Sequence, residues 1–402
     1  MSRVPAAAVP ALRARVLLSS LIVLLAFCVT ACGGGAAVSS GTPTATPVPT
    51  VALDAQLAQR TVYAATIGET VSSSGAIVAL NAQTGTMKWR YATGGMYGTP
   101  VAADGSIYAA PQSDEVIALD ASSGAKRWTF TRPDGDRHTG FDGYVAVTNA
   151  TIYVACDAGS VYALNATDGA QRWHVKPGGV GDHIYAPPAV ANGLVYVSSA
   201  GVSNTLYALD TATGAVRWKA SAPAGFDGRP IATTDMVYVG ANDRNLYALD
   251  AKTGAVRWRF LAGDVVWSRP AVGNAVVYIG ARDQYVYAVS VVDGKLLWKT
   301  QTMGTAAVPP IPTGAALTLV GDILYVGAQG GAVYALKAAD GTQIWRHDVG
   351  AAVDNAPAVV GGAVFVTTEP GAVYALRASD GALGWTATTS DGMIEASPVV
   401  GP

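Results

Sequence analysis

From residue 61 to the C-terminus, apolar and polar positions alternate in runs of four to six residues, as in VYVG at 237–240 and LYALD at 246–250. Each run stops at a cluster of Gly, Asp or Asn. A period of two bounded by turn formers predicts short antiparallel strands. The pattern also recurs as a whole. A Gly is followed four residues later by a Trp at Gly85/Trp89, Gly124/Trp128, Gly169/Trp173, Gly214/Trp218, Gly254/Trp258, Gly294/Trp298, Gly341/Trp345 and Gly381/Trp385, with 39 to 47 residues between successive Trp. Four strands in each of eight such repeats predict an all-β, eight-bladed β-propeller of four-stranded antiparallel blades.

The residue types follow from this geometry. Asn81, Asp120, Asn165, Asp210 and Asp250 stand where the third strand turns into the fourth, a corner at which a side-chain oxygen can accept backbone N–H groups and the following Gly can take positive φ. Each Trp then falls on the outermost strand, where a flat ring fills the wedge between blades. The ends of the chain predict closure. The first repeat lacks an innermost strand, and the last residues, EASPVVGP, supply one, so 396–400 is expected to complete the blade begun at 61–91.

The segment before the repeats is of another kind. Residues 1–31 carry Arg3, Arg13 and Arg15, an apolar run VLLSSLIVLLAFCV, and small residues before Cys32, the layout of an export signal. The tetrad Val29-Thr30-Ala31-Cys32 resembles a bacterial lipobox, which implies a lipid on Cys32. Residues 32–60, rich in Gly, Ser, Thr and Pro, read as a flexible tether, and 61–402 as the propeller. The expected product is an exported monomer, held to the outer face of the cytoplasmic membrane or to the outer membrane.

Composition narrows the function. Only 13% of the 402 residues are charged, with a formal net charge of −2. No basic field exists to attract phosphate backbones, so nucleic acid is not an expected partner. Three cysteines show no metal spacing, and no metal is expected. His138 and His183 lie in long loops near Asp residues without the close spacing of paired ligands, and Cys156 reads as a small buried thiol.

The repeat xYALDAxTGxxxW, seen as LYALDTATGAVRW and LYALDAKTGAVRW, resembles the pyrroloquinoline-quinone (PQQ) repeat, over residues 61–400. Within that family the lipoprotein with eight blades is similar to the BamB-like lipoproteins, scaffolds of outer-membrane β-barrel assembly. That resemblance implies a non-catalytic role in binding a protein or peptide partner. Quinoprotein alcohol dehydrogenases share the blades and add a vicinal Cys-Cys disulfide, a calcium site and a catalytic Asp. Cys156 is the only cysteine in the repeats, so the vicinal disulfide cannot form, and no cofactor is expected.

Once the repeated residues are assigned to the scaffold, few candidates remain. Aligned on the Pro that opens the innermost strand, the third residue before it is Tyr97, Tyr185, Asp227, Trp267, Asp354 or Glu395, and Arg229, Arg269 and Asn355 stand nearby. A regular frame holding unlike side chains around the channel predicts a binding mouth. The loops between second and third strands add Asp114, Glu115, Asn242, Asp243, Arg244, Arg282, Asp283 and Glu369 as a polar rim. Three alternatives stay open: PQQ or another small ligand in the channel, an extracellular carbohydrate or polymer, and a mouth merely capped by solvated, mutually paired side chains.

Overall fold

The computed structural model describes residues 50–68, 75–96, 98–133, 141, 144–179, 181–302, 316–369, 371–389, 392, 394 and 396–402. They form eight four-stranded antiparallel sheets and one short two-stranded ribbon. Blade 1 consists of Thr61–Ala65, Ala76–Asn81 and Met87–Ala92, with Val399–Gly401 as its innermost strand. Thr61 pairs with Gly401 and Tyr63 with Val399, so the two ends of the chain close one sheet as the repeats predict. Innermost and outermost strands bound the others: Val101–Ala103 to Lys126–Thr131 (blade 2), Val145–Thr148 to Gln171–Val175 (blade 3) and Ala189–Ala191 to Val216–Ser221 (blade 4). Blades 5 to 8 run from Ile231–Ala232 to Val256–Leu261, Ala271–Val272 to Leu296–Gln301, Ala316–Val320 to Gln343–Asp348, and Ala358–Val360 to Leu383–Thr388.

The hydrophobic core lies between the blades. Each of eight buried clusters is shared by two neighbours, including one between blades 8 and 1 that joins Phe365 and Trp385 to Val62 and Val78. The two middle strands are therefore buried on both faces, as in Ser106–Ala109 and Thr61–Ala65, where every residue is buried. Alternation in these strands is between large and small side chains, because two neighbouring sheets must interdigitate with one blade.

The Trp repeat is the seam of the ring. All eight lie on outermost strands, and each indole Nε1 donates to a corner carbonyl of the next blade. Trp89 donates to Ala121 at 3.0 Å, Trp128 to Ala166 at 3.0 Å, Trp173 to Thr211 at 2.9 Å and Trp218 to Ala251 at 2.9 Å. Trp258 continues to Val291 at 2.9 Å, Trp298 to Ala338 at 3.1 Å and Trp345 to Ala378 at 2.8 Å. Trp385 closes the circle on Ala82 at 3.0 Å. The wedge is not filled equally at every seam. Trp173, Trp218, Trp345 and Trp385 are buried, whereas Trp89, Trp128, Trp258 and Trp298 are half-buried. The outermost strand has no further strand beside it, so the outer side of these rings reaches solvent while the indole N–H stays anchored.

A Tyr of the second strand often donates to the same oxygen as the indole, as Tyr63 does to Ala121 at 2.9 Å. The ring also lies under the corner Gly of that next blade. A Cβ on Gly85 would stand 2.6 Å from Trp385, and Gly85 has φ +72°, so both space and backbone demand glycine there. At the corner, one Asp250 oxygen accepts the N–H groups of Lys252 and Thr253 and the other accepts Arg257. Such donors hold the Asp210 and Asp250 carboxyls at about 2, Arg217 and Arg257 respectively contributing most.

The packed body begins before residue 61. Ala55–Gln59 is a 3-10 helix with Asp54 as its cap, and Leu53 and Leu57 are buried in the cluster between blades 8 and 1. Val51 N–H donates to the Leu383 carbonyl at 2.7 Å, on the outermost strand of blade 8. This corrects the expectation of a tether over the whole of 32–60: two Leu spaced by four residues gain more from burial than a flexible chain retains in entropy.

Candidate functional site

Backbone bonds divide the loops between two sides. The third-to-fourth strand corners bond the first-to-second turns, as Ala251 N–H does with Asp235 O. On the other side, the lead-ins to the innermost strands bond the ends of the second strands, as Gly228 N–H does with Gly240 O. Ser268 fixes the equivalent place in blade 6, donating to Gly280 O at 2.9 Å and accepting Gly280 N–H at 3.0 Å. The lead-ins and the second-to-third strand loops thus share the mouth side.

Each lead-in has an inward and an outward phase. Met96, Ile184, Phe226, Val266, Val353 and Ile394, the residues just before the predicted mouth positions, are at most 2% exposed. The next residue points outward: Tyr185 is 46% exposed, and Asp227, Trp267 and Asp354 are half-buried. The one after turns inward again. Asn355 falls in that phase, is 3% exposed and donates to Thr367 Oγ1 at 3.5 Å, so its place in the mouth is corrected to a packing role. Tyr97 and Glu395 lie outside the described residues, as do Cys32 and His138.

The outward side chains of blades 5 and 6 are joined in a chain of contacts. Trp267 Nε1 donates to Asn242 Oδ1 at 2.6 Å, and Asn242 Nδ2 donates to Asp227 Oδ2 at 2.8 Å. The Arg282 guanidinium stands 4.7 Å from the centre of the Trp267 ring. Indole, amide and carboxylate thereby fix one another across the seam between two blades.

Arg229 behaves differently. Its Nη2 donates to the Tyr144 hydroxyl at 2.9 Å, and its guanidinium is 4.9 Å from the Tyr144 ring centre. Tyr144 leads into blade 3, so this contact joins the lead-ins of two blades that are not neighbours. Arg269, in the same place one blade further on, makes no hydrogen bond or ion pair among the described residues, and its side chain is reached by solvent. The protein around it disfavours the charged form, and the charge of Arg229 adds to this, so its pKa lies below the usual guanidinium value. An arginine with so high an intrinsic pKa remains a cation at physiological pH. Asp227 bonds to Asn242 rather than to either arginine.

The rim carboxylates are engaged elsewhere. Asp114 accepts from the buried Arg132 at 2.6 Å, Asp243 from the Tyr247 hydroxyl at 2.5 Å, and Asp283 from Tyr287. Both tyrosines are pushed up to about 12, by burial first and then by the adjacent carboxylate. Arg132 also donates to the sulfur of Cys156 at 3.3 Å, and that thiol is buried.

Blade 4 departs from the repeat. Asp182–His183 pairs with Ala200–Gly201 to form the two-stranded ribbon on the mouth side. His183 Nδ1 lies 2.9 Å from both the carbonyl and Oδ1 of Asp157; two acceptors require that this nitrogen carry a proton. The imidazole stacks on Tyr185, with centroids 5.5 Å apart. Tyr144 and the ribbon escaped the sequence reading because blade 3 has no lead-in Pro to align on, and a two-residue strand leaves no period.

Among the described residues, no three His, Cys, Asp or Glu side chains gather to hold a metal ion. A depression of about 380 Å³ lined by Asp235, Lys252, Arg257 and Trp258 lies at the corner side, remote from the mouth.

Three overlapping stretches, residues 35–179, 159–308 and 282–401, match the family model described as outer membrane protein assembly factor BamB. BamB from Moraxella catarrhalis is similar in structure with a TM-score of 0.60 at 21% identity, over 74% of this chain and 87% of that one. The quinohemoprotein alcohol dehydrogenase from Comamonas testosteroni gives 0.63 at 18%, over 75% and 68%. The computationally designed Ika8 protein gives 0.61 at 14%, over 74% and 88%. At these identities the likeness is one of fold. No curated protein matches the chain.

Proposed function

The chain belongs to the family of outer membrane protein assembly factor BamB, and from that membership we propose that it is a non-catalytic, exported scaffold that binds a protein or peptide partner through its mouth side. The observation that carries this is the two-phase lead-in. Buried anchors such as Phe226 and Val266 fix a rim on which Tyr185, Asp227 and Trp267 differ in chemistry while keeping one position. A rigid rim with exposed or half-buried aromatics suits a partner interface, where Tyr, Trp and Arg carry much of the binding energy. The nearby carboxylates are tied into bonds with Asn242, Tyr247 and Arg132 rather than left to move protons. Attachment through a lipid on Cys32 completes the proposal and places the propeller at a membrane surface.

The proposal includes no bound quinone. Arg282 covers one face of the Trp267 ring and Asn242 takes its donor, so a quinone cannot stack on that face. The cation pair Arg229 and Arg269 is what favours the small-ligand alternative. A rise in thermal midpoint with PQQ and Ca²⁺ would support that alternative.

The test is co-purification from membranes with the intact protein and with a Tyr185→Ala/Trp267→Ala variant, followed by mass spectrometry. Loss of particular partners by the variant is expected. Equal recovery of every partner by both proteins removes the mouth side from the proposal.

A further inference from the structure

We propose that Arg229 and Arg269 form a carboxylate-binding site at the channel mouth that takes an acidic segment of the partner; this rests on the scaffold function proposed above. The two arginines hold the same position in consecutive blades, each directly before the Pro of an innermost strand. The residue before each is fixed, Gly228 by donating to Gly240 O and Ser268 by two hydrogen bonds between its hydroxyl and the Gly280 backbone. The frame therefore sets the two backbone positions, and the charge of Arg229 is felt at Arg269.

Nothing described on this rim neutralises them by contact. Asp227 accepts from Asn242, Asp243 from Tyr247, Asp283 from Tyr287, and Asp114 from Arg132. Arg229 has the neutral Tyr144 hydroxyl as its partner, and Arg269 has no acceptor among the described residues. The surrounding protein first, and the charge of Arg229 second, disfavour the Arg269 cation, and a bound anion offsets both. The planar fork of a guanidinium matches a carboxylate by two parallel N–H donors, and its charge selects an anion over a neutral amide. Trp267, two residues before Arg269, adds a half-buried aromatic side chain to the same lead-in, which fits a peptide better than a bare ion.

The probes are a twelve-residue peptide of alternating Asp, Glu and Ala, its Asn/Gln counterpart, and citrate, titrated calorimetrically into the full chain in detergent micelles. The acidic peptide is expected to bind, to weaken with added salt, and to bind Arg269→Gln at least tenfold more weakly, with Arg269→Lys intermediate. Arg269→Gln breaks no described bond, so its thermal midpoint is expected to match the parent and to exclude misfolding as the cause. Arg229→Gln is expected to weaken the peptide as well. Equal binding of the two peptides, an unchanged affinity in Arg269→Gln, or binding of citrate without the peptide each overturns the proposal. If membrane partners are lost by Tyr185→Ala/Trp267→Ala and kept by Arg269→Gln, the carboxylate site fails while the scaffold function stands. If both variants keep every partner while the acidic peptide still needs Arg269, the site stands and the scaffold function fails.

Discussion

Gly85 and Gly362 hold nearly the same backbone conformation, φ +72° and +71°, in unlike surroundings. A Cβ on Gly85 would stand 2.6 Å from Trp385 Cε3, whereas one on Gly362 would meet nothing within 4 Å. The pair separates the cost of backbone strain from the cost of opening the ring. Both alanine variants carry the left-handed penalty of roughly 1–2 kcal/mol. Gly85→Ala must in addition push the indole out of the seam. That sacrifices the Nε1 bond to Ala82, about 1 kcal/mol, and part of the burial of a ring now only 7% exposed, about 1–2 kcal/mol. The expected costs are about 3–5 kcal/mol for Gly85→Ala and about 1–2 kcal/mol for Gly362→Ala. Urea denaturation followed by circular dichroism measures the totals, and hydrogen exchange locates the damage. The amides of Thr61–Ala65 and Val399–Gly401, where the chain ends pair, should lose protection in Gly85→Ala alone. Equal destabilisation by the two substitutions, or unchanged protection in blade 1, refutes the role assigned to the seam.

Leu57 is fully buried between blades 8 and 1, so Leu57→Ala is expected to cost about 2–4 kcal/mol in urea; a cost near zero shows that the segment before residue 61 does not hold the ring closed. Asp210 and Asp250 are held at about 2 in the folded protein, below the unfolded carboxylate value of 3.8, so the unfolded chain binds more protons between these values. Stability should therefore fall as pH drops from about 4 to about 2, and an Asp210→Asn/Asp250→Asn variant should show a shallower fall of thermal midpoint over that window. Asn242→Leu strips partners from both Trp267 Nε1 and Asp227 Oδ2 and is expected to cost about 1–3 kcal/mol, against nearly nothing for the exposed Val292→Thr on the corner side.

The fold was legible because it is written eight times. A Trp four residues after a Gly means little once, but its recurrence at intervals of about forty residues needs a structure in which each blade treats its neighbour alike. The same repetition made closure legible, since one strand was missing at the start and one was left over at the end. The extent of the packed body was not legible. Leu53 and Leu57 follow a Thr/Pro-rich stretch and carry no repeat, and only the structure shows Gly384 and Gly361 leaving room for them.

The mouth was legible as a place and not as a set of contacts. Alignment on Pro found Tyr185, Asp227 and Trp267 because the Pro fixes where the innermost strand begins, but it passed over blade 3, where Tyr144 precedes Val145 without a Pro. Counting back from the second strand, which every blade keeps, reaches Tyr144 and also exposes the buried anchors. Those anchors settle the phase: Val266 and Ser268 face inward, so Trp267 and Arg269 must both face the mouth, whereas Asn355 must not. What no alignment of blades can give is a contact such as Arg229 with Tyr144, because it joins blades that are not neighbours, unlike the Trp bonds that link each blade to the next. A side chain freed from the repeat in this way no longer serves the seam between adjacent blades. That is the physical reason to look for function at Arg229 and Arg269 rather than at the equally numerous Asp, Tyr and Trp of the scaffold.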